Sequence, residues 1–321
     1  MTVVGPSPAR RSRTPAAFAR LPEHRQGILA VLLAAVLWSS GGLFIKWVSL
    51  DALAITMWRS IFAFVTAAIV MRPGWVAPHK ADRTTWAIAL SYAATLLLFV
   101  SATRLTTAAS AIFLQYTAPL YLLVFGAIFI KERPTRVDAV TVGVAFAGMA
   151  LFFVGKLDAS AVAGNALGVA SGVALAAMFL FLRSPSCGPK TRAQAMLLGN
   201  AVLVIALGVV NAGRGDSSLF TPSAGDIAAL AFLGIVQIGL AYAVFTFGIA
   251  RIGALEASLI GMLEPVLNPV WVLIVLDERP GWWAVVGGGV IIVAVATRTW
   301  LTERDRARPA PASSALAAIE T

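Results

Sequence analysis

The chain has 321 residues, of which 59% are hydrophobic and only 12% are charged. Soluble domains contain about 25% charged residues, so this composition excludes an ordinary soluble protein and indicates an integral membrane protein. The net charge of +10 also occurs in nucleic-acid-binding proteins, but basic residues mark the cytoplasmic loops of membrane proteins, which is the interpretation that we prefer. One cysteine excludes an internal disulfide, and we predict no metal, no cofactor and no nucleic-acid partner.

The amino-acid composition at both ends of the chain predicts disordered tails. Residues 1–26 contain five arginines and four prolines, and residues 301–321 are rich in Arg, Pro, Ala and Ser. An Arg-rich start also resembles an organelle transit peptide, but ten hydrophobic segments follow it. We therefore interpret it as a basic cytoplasmic tail.

Apolar runs of about 18–25 residues recur between the tails, and each is long enough for a membrane-spanning helix. They predict ten spans, at 27–46, 52–71, 84–102, 107–130, 137–155, 164–182, 193–211, 226–249, 254–276 and 282–300. The predicted fold class is therefore an all-α membrane protein with ten transmembrane helices.

The basic residues predict the orientation. With ten spans, both termini and the connectors after even-numbered spans lie on one side, and this side holds 19 of the 25 Lys and Arg residues. The opposite connectors hold five, and Arg59 lies within a span. Because positively charged loops stay in the cytoplasm, both termini are predicted to be cytoplasmic. The excess of Arg over Lys favours a bacterial origin, so we expect a location in the bacterial inner membrane.

Two segments of the chain match each other. Pro119 is followed thirteen residues later by Glu132-Arg133-Pro134. Pro265 is followed thirteen residues later by Glu278-Arg279-Pro280. The offset of 146 residues equals five spans, and because five is odd, the second copy enters the membrane from the opposite side. We predict two inverted repeats, an architecture that binds substrate near the midplane between the repeats; the alternative is that both spans merely end with the same cap and turn.

Glu264 lies near the middle of the run 254–276, ~15 Å from its start at a rise of about 1.5 Å per residue. A charge at this depth costs roughly 2.5–3.5 kcal/mol on insertion scales, which makes an intramembrane Glu a functional-site hypothesis. Desolvation disfavours its charged form, which suits binding and releasing a proton or gripping a substrate amine. The alternative is a structural Glu that is protonated or paired with an Arg. We expect Glu256, near the cytoplasmic end of the same run, to reach water.

Two further side chains lie at unusual depth. Arg59 is about 11 Å inside the outer edge of its span, where it could pair with Glu264 or bind a substrate carboxylate; snorkelling to the interface is the alternative. Trp38 lies near mid-depth, away from the interfaces where Trp usually gathers. We predict that Trp38 lines a cavity, with core packing as the alternative.

Three prolines predict helix breaks next to this site. Pro119, Pro265 and Pro269 each remove a helix N–H donor, and broken backbone at membrane depth is tolerated where it is buried or lines a cavity; simple kinks are the alternative. Nearby polar residues complete the predicted site, with helix–helix hydrogen bonding as their alternative role: Gln115, Tyr116 and Asn268. Weaker candidates are Tyr92, Gln237 and Tyr242.

Glycines in the fifth and tenth spans predict close-packing faces. They are Gly143 and Gly148 in the fifth span, and Gly287, Gly288 and Gly289 in the tenth. Both spans are nearly free of polar residues. We expect them on the outside of the bundle, where a homodimer contact is one option.

Short motifs occur in a characteristic order along the chain: Leu37-Trp38-Ser39-Ser40 with Lys46, Trp58-Arg59-Ser60-Ile61-Phe62, Ser101-Ala102 with Thr107-Ala108-Ala109, and Leu263-Glu264-Pro265-Val266. Together with the two Pro-to-Glu copies, they resemble the EamA-like family of the drug/metabolite transporter superfamily, as two units at 27–155 and 164–300. The resemblance implies a ten-helix inner-membrane permease with five-plus-five inverted repeats. Its relatives move small metabolites and often export amino acids or related compounds. The first copy departs from the second, because Ala118 stands where Glu264 does.

We predict a secondary transporter of a small metabolite, such as an amino acid or a drug-like amine, that works by alternating access. Export and proton coupling through Glu264 are hypotheses, and the expected partners are the substrate, the lipid bilayer and protons. An uncoupled facilitator is the main alternative. A membrane-embedded lipid-modifying enzyme would need a cluster of Asp, His or Glu at the interface, whereas Asp82, Asp138 and Asp158 are isolated in the sequence.

Overall fold

The computed structural model describes residues 20–71, 78–129, 131, 134–276 and 281–307. These residues form helices joined by short connectors, and none of them lies in a β-strand. The α-helices are α1 (Glu23–Trp38), α2 (Gly41–Trp47), α3 (Ala52–Met71), α4 (Arg83–Leu105), α5 (Ala108–Gln115), α6 (Ala118–Phe129), α7 (Arg136–Phe152), α8 (Val162–Leu182), α9 (Pro189–Gly213), α10 (Ala224–Phe232), α11 (Ala241–Ile249), α12 (Ala254–Gly261), α13 (Leu263–Leu276) and α14 (Trp282–Ala307). A π-helix, Leu233–Leu240, joins α10 to α11.

Within the described part of the chain, eight helical segments are long and apolar enough to cross a membrane. They are Glu23–Trp47, Ala52–Met71, Arg83–Leu105, Ala108–Phe129, Val162–Leu182, Pro189–Gly213, Ala224–Ile249 and Trp282–Arg306. The other two predicted spans are occupied by α7, which has 17 residues, and by α12 with α13. The all-helical prediction is confirmed, and the count of ten spans stays a prediction.

The first and last helices extend beyond their apolar runs. Helix α1 begins at Glu23 and α14 continues to Ala307, so both enter segments that we predicted as tails. Residues 1–19 and 308–321 lie outside the described residues, as do the Glu-Arg pairs at 132–133 and 278–279. The boundaries of the two predicted repeats therefore stay predictions.

Three of the ten predicted spans are interrupted near their middle. The breaks lie at Ser39–Ser40 between α1 and α2, at Tyr116–Thr117 between α5 and α6, and at Met262 between α12 and α13. Pro119 is the second residue of α6 and Pro265 the third of α13, so each follows a break directly. In the first turn of a helix the missing N–H costs no intrahelical hydrogen bond. The two prolines therefore allow a new helix to start partway along each predicted span.

Two predicted residues fall further along α13. Helix α13 continues through Asn268 and Pro269 to Leu276. The side chains of Asn268 and Pro269 lie outside the described part of the structure. Their predicted roles in binding and helix breaking stay predictions.

A buried polar cluster ties three helices together at the end of the bundle where α1 begins. Nε2 of His24 lies 3.0 Å from Oε2 of Glu256, and Nδ1 lies 2.7 Å from Oε1 of Glu303. Arg25 donates to the other Glu303 oxygen at 2.6 Å. His24 and Glu256 are each only 6% exposed, so the expectation that Glu256 reaches water is wrong. Helix α1 covers this carboxylate and supplies its hydrogen-bond partner.

The connector between α8 and α9 lies near the same end. Thr84, in the first turn of α4, bonds the hydroxyl of Ser186 at 2.8 Å. Cys187 beside it is only 5% exposed, and burial raises the pKa of its thiol. This cysteine is therefore a packed part of the connector.

A second set of polar contacts closes the opposite end of the bundle. The backbone N–H and the hydroxyl of Ser49, after α2, donate to the carboxylate of Asp226 at 2.9 and 2.7 Å. Nζ of Lys46 donates to the carbonyl of Thr106 at 3.1 Å. These bonds bring the ends of α2 and α4 to the start of α10.

Helices α7 and α14, the predicted fifth and tenth spans, pack against each other. A Cβ atom at Gly287 would meet the backbone of Phe152 and Gly148, and one at Gly148 would meet Gly287 and Val290. Arg298 in α14 donates to Asp138 in α7 at 2.6 Å. Two of the predicted packing glycines thus lie in this seam, and Gly288 also contacts Phe152 and Val266.

We expect Gly287→Val to lower the unfolding temperature of the purified protein. The added side chain collides with backbone atoms that cannot move aside, and overpacking of this kind costs about 1–3 kcal/mol. Gly289→Val is the matched control on the same helix, because no described atom lies within 4 Å of its added Cβ. The measurement is the fraction of monodisperse protein that remains after heating. Equal losses in the two variants would contradict this account of the seam.

Candidate functional site

A small cavity lies beside the three helix breaks. Its volume is about 40 Å³, and helices from both halves of the chain form its walls. Trp38 precedes the first break, Tyr116 lies at the second, and Glu264 follows the third. The volume admits only a few water molecules, whereas sites for small organic ligands measure about 300–1,000 Å³. In this structure the cavity is therefore too small for a small organic ligand.

The structure brings five of the six predicted binding residues to this cavity: Trp38, Arg59, Gln115, Tyr116 and Glu264. The weaker candidates Gln237 and Tyr242 line it too. Tyr92 packs edge-on against Tyr242, with ring centroids 4.8 Å apart. Their shared location is an observation, and their roles in binding stay predictions.

Part of the cavity wall was not predicted from the sequence. Thr95, Leu96 and Phe99 of α4 line the cavity. With Tyr92 they follow the i, i+3, i+4, i+7 spacing of one helix face. Tyr92 and Thr95, one turn apart in an apolar span, were the signal that could have identified this face.

Arg59 is buried in α3 with 1% of its surface exposed. Nη2 donates to the carbonyl of Leu96 at 3.2 Å, while Nε and Nη1 have no hydrogen-bond partner among the described residues. Its burial excludes snorkelling to the interface. Arg59 and Glu264 do not form an ion pair within 4 Å among those that the described part of the chain contains. Buried charges are normally paired, so these two unpartnered nitrogens are unusual, and the role of Arg59 in binding an anionic group stays a prediction.

Glu264 is the second residue of α13 and is 8% exposed. The hydroxyl of Tyr116 donates to its Oε2 at 2.5 Å, across the interface between the two halves of the chain. Burial favours the protonated acid, whereas this hydrogen bond and the N-terminus of α13 favour the carboxylate. The role of Glu264 in binding a proton or a substrate stays a prediction.

Trp38 and Gln237 add unsatisfied polar atoms to the wall. Nε1 of Trp38 and Oε1 of Gln237 are buried and have no hydrogen-bond partner within the described part of the chain. The Trp38 ring is held in place by Tyr242 and Phe245, with centroid distances of 5.0 Å to each. The cavity thus presents N–H donors from Arg59 and Trp38, and acceptor oxygens from Gln237 and Glu264.

The side chain of Gln115 forms a hydrogen bond to a neighbouring helix. Its Nε2 donates to the hydroxyl of Ser171 in α8 at 2.8 Å, and Ser171 in turn donates to the carbonyl of Thr95 at 3.3 Å. This is the helix–helix hydrogen bonding that we considered as the alternative role. Gln115 therefore fixes the wall of the cavity while its side chain still lines it.

Hydrogen bonds that cap helices, close turns or join helices hold the three aspartates that we weighed for an enzymatic site. Asp82 caps α4, and hydrogen bonds from Thr85 hold the pKa of Asp82 below its ordinary value. Asp158 accepts from Ser160, and these bonds lower its pKa in the same way. Asp138 belongs to the seam between α7 and α14. Each has a structural role at a helix end or turn.

Comparison with known proteins agrees with this architecture. The family model for the EamA-like transporter family matches residues 25–154 and again residues 162–299. An uncharacterized transporter from Archaeoglobus fulgidus is 23% identical over 275 residues, which cover 84% of this chain and 95% of that protein. A crystal structure of another protein superposes with a TM-score of 0.69 at 19% identity, covering 87% of this chain and 98% of that chain, and shows the shared fold alone. The resemblance seen in the motifs is therefore confirmed: the chain belongs to the EamA-like transporter family and is a multi-pass membrane transporter.

Proposed function

We propose that the protein is a secondary transporter of a small zwitterionic metabolite, of which an amino acid is the model. The observation that carries this proposal is the polar wall of the central cavity. Arg59 and Trp38 supply unsatisfied N–H donors, and Gln237 supplies an unsatisfied acceptor among the described residues. The carboxylate and ammonium groups of an amino acid complement the two sets. A simple amine fits less well, because it has no acceptor for the unpartnered N–H donors of Arg59 and Trp38.

Alternating access between two inverted repeats accounts for the position of the cavity. The breaks at Tyr116 and Met262 are 146 residues apart, the same offset as between the matching Pro and Glu-Arg-Pro segments. The double match of the family model supports a duplicated chain. In this proposal ten spans form two five-helix units, and the cavity opens to one side of the membrane at a time.

The polar contacts at the two ends of the bundle act as the two gates in this proposal. The cluster of His24, Glu256 and Glu303 closes one end, and the bonds of Ser49 and Lys46 close the other. Because the basic connectors favour cytoplasmic termini, the His24 cluster forms the cytoplasmic gate of an inner-membrane protein. Proton coupling through Glu264 then drives export, and an uncoupled facilitator is the alternative.

Flux measurements test this function directly. We expect proteoliposomes that contain the purified protein to exchange at least one radiolabelled amino acid against the same unlabelled compound, while protein-free liposomes do not. Comparing metabolites inside and outside cells that do and do not produce the protein identifies the preferred substrate. The absence of exchange for every standard amino acid, together with identical metabolite profiles, would overturn the proposal.

A further inference from the structure

A second, larger cavity lies on the outer surface of the break between α1 and α2. Its volume is about 650 Å³, within the range of ligand-binding pockets. Apolar side chains line it, including Leu43 and Phe44 of α2 and Phe232 of α10. Ser40 is its polar exception, and the Ser40 hydroxyl is already bonded to the carbonyl of Leu37 at 3.2 Å. We call this cavity the lateral groove.

The lateral groove opens to the surroundings of the bundle. Trp47 on its rim is 73% exposed, and Val36 is 39% exposed. Both belong to the first membrane-crossing segment, Glu23–Trp47. In a membrane this surface faces the lipid acyl chains, so an apolar group can reach the groove from within the bilayer.

Residues that are adjacent in the sequence line opposite sides of the wall between the lateral groove and the central cavity. Leu37 lines the groove and Trp38 the cavity, and the same holds for Val236 and Gln237. The wall between them is thus a single turn of α1 and of the π-helix. Both elements have irregular backbone here, because α1 ends at Trp38 and the π-helix runs from Leu233 to Leu240. Irregular helices of this kind often mark functional sites and hinges.

One hydrogen bond completes the wall. Nε1 of Trp271 in α13 donates to the hydroxyl of Ser39 at 2.6 Å, which joins α13 to the break between α1 and α2. Trp271 also lines the lateral groove. The connection between the groove and the central cavity that is proposed below would require this pair to separate.

We propose that the lateral groove binds the apolar part of an amphipathic zwitterion whose charged end occupies the central cavity. This inference rests on the proposed function. The cavity has donors and acceptors for a charged end but little volume, whereas the groove has volume but almost no polar group. A lipid acyl chain would also fit the groove, but residues adjacent in the sequence line the groove and the cavity, Leu37 beside Trp38 and Val236 beside Gln237, so the two sites are neighbours. The two sites together therefore favour one molecule with a charged end and an apolar chain.

The test uses a homologous series of probes with one charged end: alanine, norvaline, norleucine and their longer straight-chain homologues. Equilibrium binding of each radiolabelled acid is measured on the full-length protein in lipid nanodiscs, and binding to empty nanodiscs is subtracted. We expect the affinity of the unmodified protein to rise about fourfold for each added methylene group that enters the groove. In Ser40→Trp and Leu43→Trp, which fill the groove, this rise is lost while the affinity for alanine is kept.

Leu33→Trp is the matched control, because Leu33 is a 49% exposed residue of α1 that does not line the groove. We expect the affinity of the Leu33→Trp variant to rise with the chain length of the amino acid, as in the unmodified protein. Affinity that is independent of chain length in the unmodified protein, or an unchanged dependence in both groove-filling variants, would overturn this inference and leave the proposed function standing. Failure of every acid to bind, alanine included, would overturn both.

Discussion

Arg59→Met is expected to weaken amino-acid binding by about 10- to 100-fold without lowering the stability of the folded protein. The variant removes two unpartnered donor nitrogens from the cavity, and the loss of a single hydrogen bond to a charged group costs about 1.5–3 kcal/mol, which is about 10- to 100-fold in affinity. Stability is kept because burying a charge costs several kcal/mol, and an apolar side chain of similar volume removes that cost. Equilibrium binding and thermal unfolding, measured on the same samples, test both parts.

Two further variants sharpen the Arg59 experiment. Arg59→Lys keeps the charge but loses the planar fork of donors, so we expect an intermediate loss of affinity. Arg104→Met is the control, because Arg104 lies at the end of α4 and donates to the carbonyl of Val48 outside the cavity. If Arg59→Met instead unfolds at a much lower temperature and binds normally when folded, its role is structural and the proposed site is wrong.

Glu264→Gln is expected to abolish accumulation driven by a pH gradient while keeping exchange at zero gradient. The amide retains the size and polarity of the side chain but cannot take up or release a proton, so flux is no longer linked to proton movement. Proteoliposome uptake is measured with an imposed pH gradient and, separately, as exchange without one. In the variant, accumulation should fall to simple equilibration.

Tyr116→Phe is the companion to this experiment. It removes the hydroxyl that bonds Glu264 and leaves the carboxyl group itself in place. We expect the variant to accumulate substrate with an altered dependence on pH. Accumulation by Glu264→Gln at the level of the unmodified protein would end the coupling hypothesis, and absence of accumulation in the unmodified protein would favour the uncoupled facilitator.

Polar residues at mid-depth explain why much of the cavity could be predicted from the sequence. An ionisable or amide group inside an apolar run is energetically expensive, so Arg59, Gln115 and Glu264 stand out against their neighbours. The prolines stand out equally, because each prevents a normal helix interior. Two of them, Pro119 and Pro265, directly follow breaks in the structure.

Other features leave no such contrast in the sequence. His24 and Glu256 lie near span ends, where polar residues are ordinary, and their contact joins positions 232 residues apart. The lateral groove is built from apolar residues within apolar spans, so nothing separates them from residues that simply face lipid. The π-helix changes the number of residues per turn, which shifts the cavity-facing positions after Leu233 away from a regular helical spacing.

The condition of Cys187 has a practical consequence for experiments on this protein. It is the only cysteine in the chain, it is buried, and its raised thiol pKa leaves little of the reactive thiolate at neutral pH. We therefore expect the unmodified protein to react slowly with maleimides and other thiol-directed labels. Single cysteines introduced along the cavity wall will report which face of the membrane admits a reagent, and the unaltered chain provides the blank for every such measurement.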